Sequence, residues 1–512
     1  MKQRRITLEL FQSEYLYTTM SIIRQTFFSE KFLLRVSILL FFFLFLFVQT
    51  YYLTSVPGLV GDEGYEGLSV IDHIRDSKPF FIGRESYVAF WSDYVRLPFV
   101  LWLGETALAM RIPLVLANCV TFWLAYYFFR RVFDIRLVFF IMAACFFSPP
   151  YILYQRISWP INFLPLFTFL LLFVLTRNFR SKPVIVGLIG GLGISTHVTF
   201  AAPLVGIFGA YLLAKYRDLK KISTWWPALI GFSAGFGLQL AIMWQMTVES
   251  ARVGHFSLII ERLEILYPTL FNYFSGVSYW GEYTGDVSHD IARIIIFLLL
   301  VFVFCALLIK PYKKIALFWL IGIIISIATT VIIVSYFRTR YLHVITIALW
   351  GLAGLGFSKV MLNTFKSKKM LIPLAFLCAI LLSFWTYRAV FVPYEKTGGT
   401  TLNFQDSGNS WDKSSHFADI QPLANCVKNI GLVFSEEPKI SNRLKFLREA
   451  DQHIKVADER KKAKWFVDYR GPRELDDPSK NRPGEVCPNV RNFIVIPNDE
   501  YVPPKPKITN NG

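Results

Sequence analysis

The sequence predicts an α-helical polytopic membrane protein with about eleven transmembrane helices and a small extracytoplasmic C-terminal α/β domain. Three observations predict it. Hydrophobic residues make up 54% of the 512 and charged residues only 18%, against roughly 25% charged in an ordinary soluble domain. Runs such as Ile38–Val48 and Ile294–Leu308 are too apolar for a solvated helix face. Lys and Arg fall in short clusters between such runs, the pattern of membrane topology determinants. One large soluble core and disorder are both excluded.

Residues 1–32 read as a cytoplasmic N-terminal segment. A crossing helix needs about 20 mostly apolar residues. On that measure, spans fall near 33–53, 111–131, 137–154, 158–176, 183–198, 199–214, 226–246, 291–309, 315–336, 341–358 and 371–391. The first run is too long for a signal-peptide core and lacks a small-residue cleavage site after it, so it reads as a signal anchor. The pair 183–198 and 199–214 is short enough to be one bent helix. Gly190, Gly191, Gly193 and Pro203 would permit close packing and bending there.

Charge orients these spans. Basic clusters follow at Arg130, Arg131 and Arg136, then Arg177, Arg180 and Lys182, then Lys215, Arg217, Lys220 and Lys221. Two more lie at Lys310, Lys313 and Lys314, and at Lys359, Lys366, Lys368 and Lys369. Every second connection is therefore basic, as a cytoplasmic side requires. Segment 54–110, on the other face, holds eight acids and four bases. With the N-terminus inside the plasma (inner) membrane, eleven crossings put residues 394–512 outside. Those residues carry 19 Lys and Arg against 17 Asp and Glu, so nearly all of the +18 net charge belongs to 1–393. Basic charge dispersed in this way argues for membrane lipids as partners and against nucleic acid.

The outside loops 54–110 and 248–290 are long. Within the first, Tyr94–Leu108 is half apolar and suits the interface plane. The segment 394–512 has only short apolar runs (Gly431–Phe434, Trp465–Tyr469, Asn492–Ile496) and ends in the proline-rich stretch Pro503–Lys507. Cys119, Cys145, Cys305 and Cys378 sit singly in spans and read as small hydrophobes. Cys426 and Cys487 are the pair in the outside segment, where an oxidising compartment allows a disulfide. No zinc-type cysteine spacing occurs.

The most informative residues are Gly61-Asp62-Glu63-Gly64-Tyr65, just after the first span. Adjacent acids flanked by glycines form a turn able to present a carboxylate inward; the competing reading is a solvated acidic loop. The context that follows decides for the first. Gly67-Leu68 and Pro79-Phe80-Phe81-Ile82-Gly83-Arg84-Glu85-Ser86-Tyr87 come next, then Leu103-Gly104-Glu105 and Ala107-Leu108-Ala109-Met110-Arg111-Ile112-Pro113. The last leads into a span ending at Arg130-Arg131-Val132-Phe133. This order resembles the GT-C membrane glycosyltransferases of the protein O-mannosyltransferase and aminoarabinose-transferase type (glycosyltransferase family 39-like). Arg338-Thr339-Arg340-Tyr341-Leu342 is similar to the Arg-Tyr-Leu entry to a late span in the same family. The resemblance covers roughly 35–390. Where many relatives carry Lys-Pro-Pro in the first loop, this chain reads Trp91-Ser92-Asp93-Tyr94-Val95-Arg96-Leu97-Pro98.

The resemblance implies a polyprenyl-phosphate sugar as donor, a hydroxyl-bearing acceptor on the outer face (protein, lipid or envelope glycan), and inversion at the anomeric carbon. Such a displacement needs a base at the acceptor hydroxyl and cations at the departing phosphate. Carried over by motif position, Asp62 is the base, with Glu63 beside it orienting a substrate. Arg338 and Arg340, with Tyr341, are placed at the donor phosphate, and Arg111, Asp93, Glu85 and His197 are further candidates for substrate binding, with pairing to an acid for stability as the alternative for Arg111. Family members differ in their use of a divalent metal, for which Glu85 is the candidate ligand. A secondary transporter is disfavoured by the lack of a half-length repeat and of intramembrane acids. An O-antigen-ligase-like protein is disfavoured because the acid pair follows the first span.

Overall fold

The computed structural model describes residues 30–56, 59–75, 91–214, 225–247, 285–333, 339–365, 370–392, 420–428, 430–436, 438–450, 454–469, 487 and 493–500. Glu85, Arg338, most of loop 248–290 and the proline-rich stretch Pro503–Lys507 lie outside these residues. The chain divides into two compact units, 1–48 and 49–512.

Helix α1, Glu30–Thr50, carries the first apolar run. Then come α2 (Gly61–Arg75), α3 (Trp91–Leu103), α4 (Ala107–Val132), α5 (Ile135–Phe147), α6 (Pro149–Tyr154) and α7 (Leu164–Leu175). They are followed by α8 (Lys182–Thr196), α9 (Ala201–Ala214), α10 (Pro227–Thr247), α11 (Gly285–Leu307), α12 (Lys313–Ile333), α13 (His343–Thr364) and α14 (Leu371–Thr386). Among the described residues, Phe32–Thr50, Ala107–Val132, Lys313–Ile333 and Arg340–Thr364 are long and apolar enough to cross a membrane, by length and composition. Shorter apolar helices occupy the other seven stretches expected to span. The molecule is an integral membrane protein on these measures.

Two local expectations change, and at a third place an open alternative is decided. The Gly61–Tyr65 stretch is not a turn but the first turn of α2. Its acids sit where the helix dipole favours negative charge. The stretch 137–154 breaks at Ser148-Pro149-Pro150 into α5 and α6, because proline lacks the donor a continuing helix needs. Stretches 183–198 and 199–214 form two helices, as the span count expects, and not the one bent helix that was the alternative; His197 separates them in extended backbone (φ −163°, ψ 134°). Helices α8 and α10 approach so closely that backbone atoms occupy the space a side chain would need at Gly191 and Gly231.

Residues 420–500 add α15 (Gln421–Val427), α16 (Pro438–Ala450) and the strands β1 (Leu432–Phe434), β2 (Lys455–Val456), β3 (Trp465–Tyr469) and β4 (Phe493–Pro497). The sheet order is β2-β1-β3-β4, with β1 parallel to β2 and β3, and β4 antiparallel to β3. The structure joins Cys426 of α15 to Cys487. One apolar core contains Leu423, Val433, Ile440, Leu444, Phe446 and Val495 of this region together with Leu59, Leu68, Ile71, Val100 and Met110. The segment carrying the Asp-Glu pair and the C-terminal region thus share an interior.

Candidate active site

Helix α2 starts at a half-formed capping box. Val60 accepts the first helical hydrogen bond, from Gly64 N (3.0 Å). Its own N–H donates to Glu63 Oε2 (3.0 Å), the reach-back that a Glu at the third helical position makes. The same carboxylate receives Arg111 Nε (2.8 Å) and Nη2 (2.5 Å) and the Ser158 amide (2.6 Å). Arg111 also donates to the Leu53 carbonyl (2.6 Å). Neither Glu63 nor Arg111 has any exposed side-chain surface. Arg111 is carried by α4, whose start Thr106 caps by accepting from Ala109 N (3.2 Å). A planar guanidinium meeting a carboxylate through two bonds fixes orientation as well as charge.

Asp93 and Arg96, on the buried side of α3, form a second enclosed cluster. Asp93 accepts from Ser69 Oγ (2.7 Å) and lies 3.4 Å from His73 Nε2. Arg96 pairs with Glu66 (3.0 Å) and donates to both Ser158 Oγ (3.1 Å) and the Ser158 carbonyl (2.6 Å). On the opposite side of α3, Val95, Leu101 and Trp102 are exposed. This division fits a helix lying on a bilayer interface.

Both clusters converge on one turn, Gln155-Arg156-Ile157-Ser158-Trp159, between α6 and a short 3-10 helix at Pro160–Phe163. Asn162 staples it by donating to the Tyr154 and Ile157 carbonyls, each at 2.7 Å. Gln155 Nε2 lies 2.6 Å from His343 Nε2, tying the turn to the start of α13. Arg156 donates to the Val56 carbonyl (3.0 Å) and sits over the Phe391 ring. Burial, and then the like charge of Arg111, push its guanidinium down to about 9, still cationic at neutral pH.

Asp62 stands apart from these enclosed groups. Its side chain is 37% exposed, and Oδ2 lies 3.2 Å from Nη1 of Arg340, 278 residues away in sequence. Arg340 sits in a short 3-10 helix, Thr339–Leu342, before α13. Its guanidinium carbon is 4.9 Å from the centre of the Trp159 ring and 5.9 Å from that of Tyr341. The Tyr341 ring in turn lies 5.5 Å from the His197 ring, and His197 is buried and bonded to Thr199 Oγ1 (2.8 Å). An accessible carboxylate, a guanidinium restrained by aromatic faces and a neighbouring histidine therefore meet at the ends of separate helices.

The structure brings Asp62, Arg340, Tyr341 and His197 together. It encloses Glu63 and Asp93 among protein partners, where each was expected to touch substrate, and gives Arg111 the pairing with an acid that was its alternative reading. The turn 155–159 escaped the sequence reading, as did Glu66 and Arg96. The only sequence signal for that turn was a Gln-Arg pair interrupting two apolar runs. Among the described residues, no group of three or more His, Cys, Asp and Glu is arranged to hold a metal ion.

No protein-family model and no curated protein matches the chain. Its fold is similar to that of ArnT, an aminoarabinose transferase, from Cupriavidus metallidurans. The ArnT structure bound to undecaprenyl phosphate superposes with a TM-score of 0.54 at 13% identity, covering 91% of this chain and 99% of that one. The apo ArnT structure gives a TM-score of 0.49 at 10% identity, over 86% and 94%. The fold is GT-C-like.

Proposed function

We propose that the chain is a GT-C membrane glycosyltransferase that moves a sugar from a polyprenyl-phosphate donor to an acceptor hydroxyl on the outer membrane face. The observation that carries this reading is the Asp62–Arg340 contact (3.2 Å). A candidate base and a candidate phosphate ligand thus share one site, and an inverting displacement needs both, to act on opposite faces of the anomeric carbon once the substrates lie between them. The GT-C-like fold supports it, as does the undecaprenyl phosphate held by ArnT.

In this mechanism Asp62 takes the proton of the acceptor hydroxyl as its oxygen attacks the anomeric carbon. The bond from that carbon to the phosphate oxygen breaks, and the phosphate leaves with the electron pair. Arg340 receives the growing negative charge. Trp159 and Tyr341 limit its rotation, so little reorganisation is needed as the charge develops. Tyr341 and His197 flank Arg340 at the donor. Glu63 and Arg111 keep their value as the clamp that fixes the start of α2, without touching substrate. The eleven spans, the cytoplasmic N-terminus, the inner-membrane location and the extracytoplasmic placing of 394–512 complete the proposal, with hexosyl or pentosyl transfer as its scope.

The test is mass spectrometry of lipids that co-purify with the full chain. A polyprenyl-phosphate sugar is expected in the unmodified protein and strongly depleted in Arg340→Ala. Recovery of ordinary phospholipid alone from both proteins would sink the reading.

A further inference from the structure

We infer that Arg443 is a positioning residue for Asp62, and that the C-terminal region serves as one wall of the active-site scaffold. The inference rests on the proposed role of Asp62. Helix α16 lies along α2 in step. Gly64 and Gly67, one turn apart on α2, face Arg443 and Phe446, one turn apart on α16. A methyl group at Gly64 would stand 2.9 Å from Arg443 Cγ and 3.0 Å from its Cα. At Gly67 it would collide with the Phe446 ring. Arg443 is completely buried, and its Nη1 donates to the Leu59 carbonyl (3.1 Å), three residues ahead of Asp62.

Its chemistry argues against a space-filling role. A buried guanidinium is costly unless its donors meet defined acceptors, so apolar residues normally fill such positions. Here one donor grips the main chain just before the helix that carries the proposed base. From the other side, Arg111 and the Ser158 amide hold Glu63. The first turn of α2 is therefore held between a clamp from the membrane helices and a clamp from α16. Asp62 lies between the two and keeps its side chain open to solvent.

The experiment uses the full chain in detergent. It measures the Kd for undecaprenyl phosphate, the thermal midpoint, and the single-turnover release of polyprenyl phosphate from a polyprenyl-phosphate sugar, with membrane extract supplying acceptor. Arg443→Met should slow release by about 10- to 100-fold, the cost of a misplaced reacting group. Its Kd should stay close to that of the unmodified protein, and Arg443→Lys should recover part of the rate. Gly64→Ala, which presses on Arg443, should show the same split between rate and affinity. Unchanged release in both Arg443→Met and Gly64→Ala would overturn the inference. So would rate, affinity and thermal midpoint falling together, or neither variant folding, since Arg443 would then serve folding alone. Asp62→Asn in the same assay separates the two ideas. If it keeps release, Asp62 is not the base and the proposed mechanism falls, taking with it the positioning role that rests on it; if it loses release while Arg443→Met keeps it, only the role of Arg443 falls.

Discussion

At the scale of residues, neighbouring carboxylates have opposite environments, and the difference is measurable. Asp62→Asn removes a proton acceptor from an exposed position, so transfer should drop by on the order of 100- to 10,000-fold while the protein folds and binds undecaprenyl phosphate. Glu63→Gln instead strands the buried Arg111 guanidinium. Breaking such a pair costs about 3–5 kcal/mol, so the expected loss is in thermal midpoint and yield of folded protein. Stability and transfer assays on both variants decide the matter; a stable Glu63→Gln with no transfer, beside an Asp62→Asn that keeps it, would reverse the two roles. Arg340→Lys should weaken undecaprenyl-phosphate binding, because an ammonium reproduces neither the two-pronged phosphate contact nor the stacking on Trp159. An affinity equal to the unmodified protein would make Arg340 a membrane anchor. Asp62 and Arg340 were each visible in the sequence through charge at the end of an apolar run. Their contact was not, because no local signal links positions 278 apart. Ser158 was hard to see because its bonds to Glu63 and to one Arg96 nitrogen use main-chain groups, which every residue possesses.

At the scale of elements, apolar length was legible, and each stretch expected to span holds an apolar helix among the described residues, four of them long enough to cross a membrane. Helix α2 was misread as a turn for an identifiable reason. Gly61, Gly64 and Gly67 lower its intrinsic helix propensity, and what stabilises it is packing against α16, which lies nearly 400 residues later. The strands were legible only as short apolar runs, and their pairing is a long-range property. Cys426–Cys487 spans 61 residues, so the chain-entropy estimate of its contribution is about 4 kcal/mol. Cys426→Ser should lower the thermal midpoint of the C-terminal region, and thiol titration of unreduced, denatured protein should find four free cysteines rather than six. Six would mean that the bridge does not form in the protein as made.

At the scale of the whole molecule, alternation of basic connections predicts an odd number of crossings. A reporter active only outside the cytoplasm should work when fused after Lys396, and activity of a cytoplasm-only reporter there would remove one span from the count. The interior shared between α2 and residues 420–495 bears on how the protein is made. During synthesis α2 leaves the ribosome long before α16, so Leu68 and Ile71 wait without their partners. A chain interrupted anywhere between them would be inserted, anchored and inert, with an apolar surface uncovered. Such an intermediate invites capture by chaperones and proteases. Quality control of this protein should therefore concentrate on the interval between insertion of its first span and arrival of its C-terminal sheet.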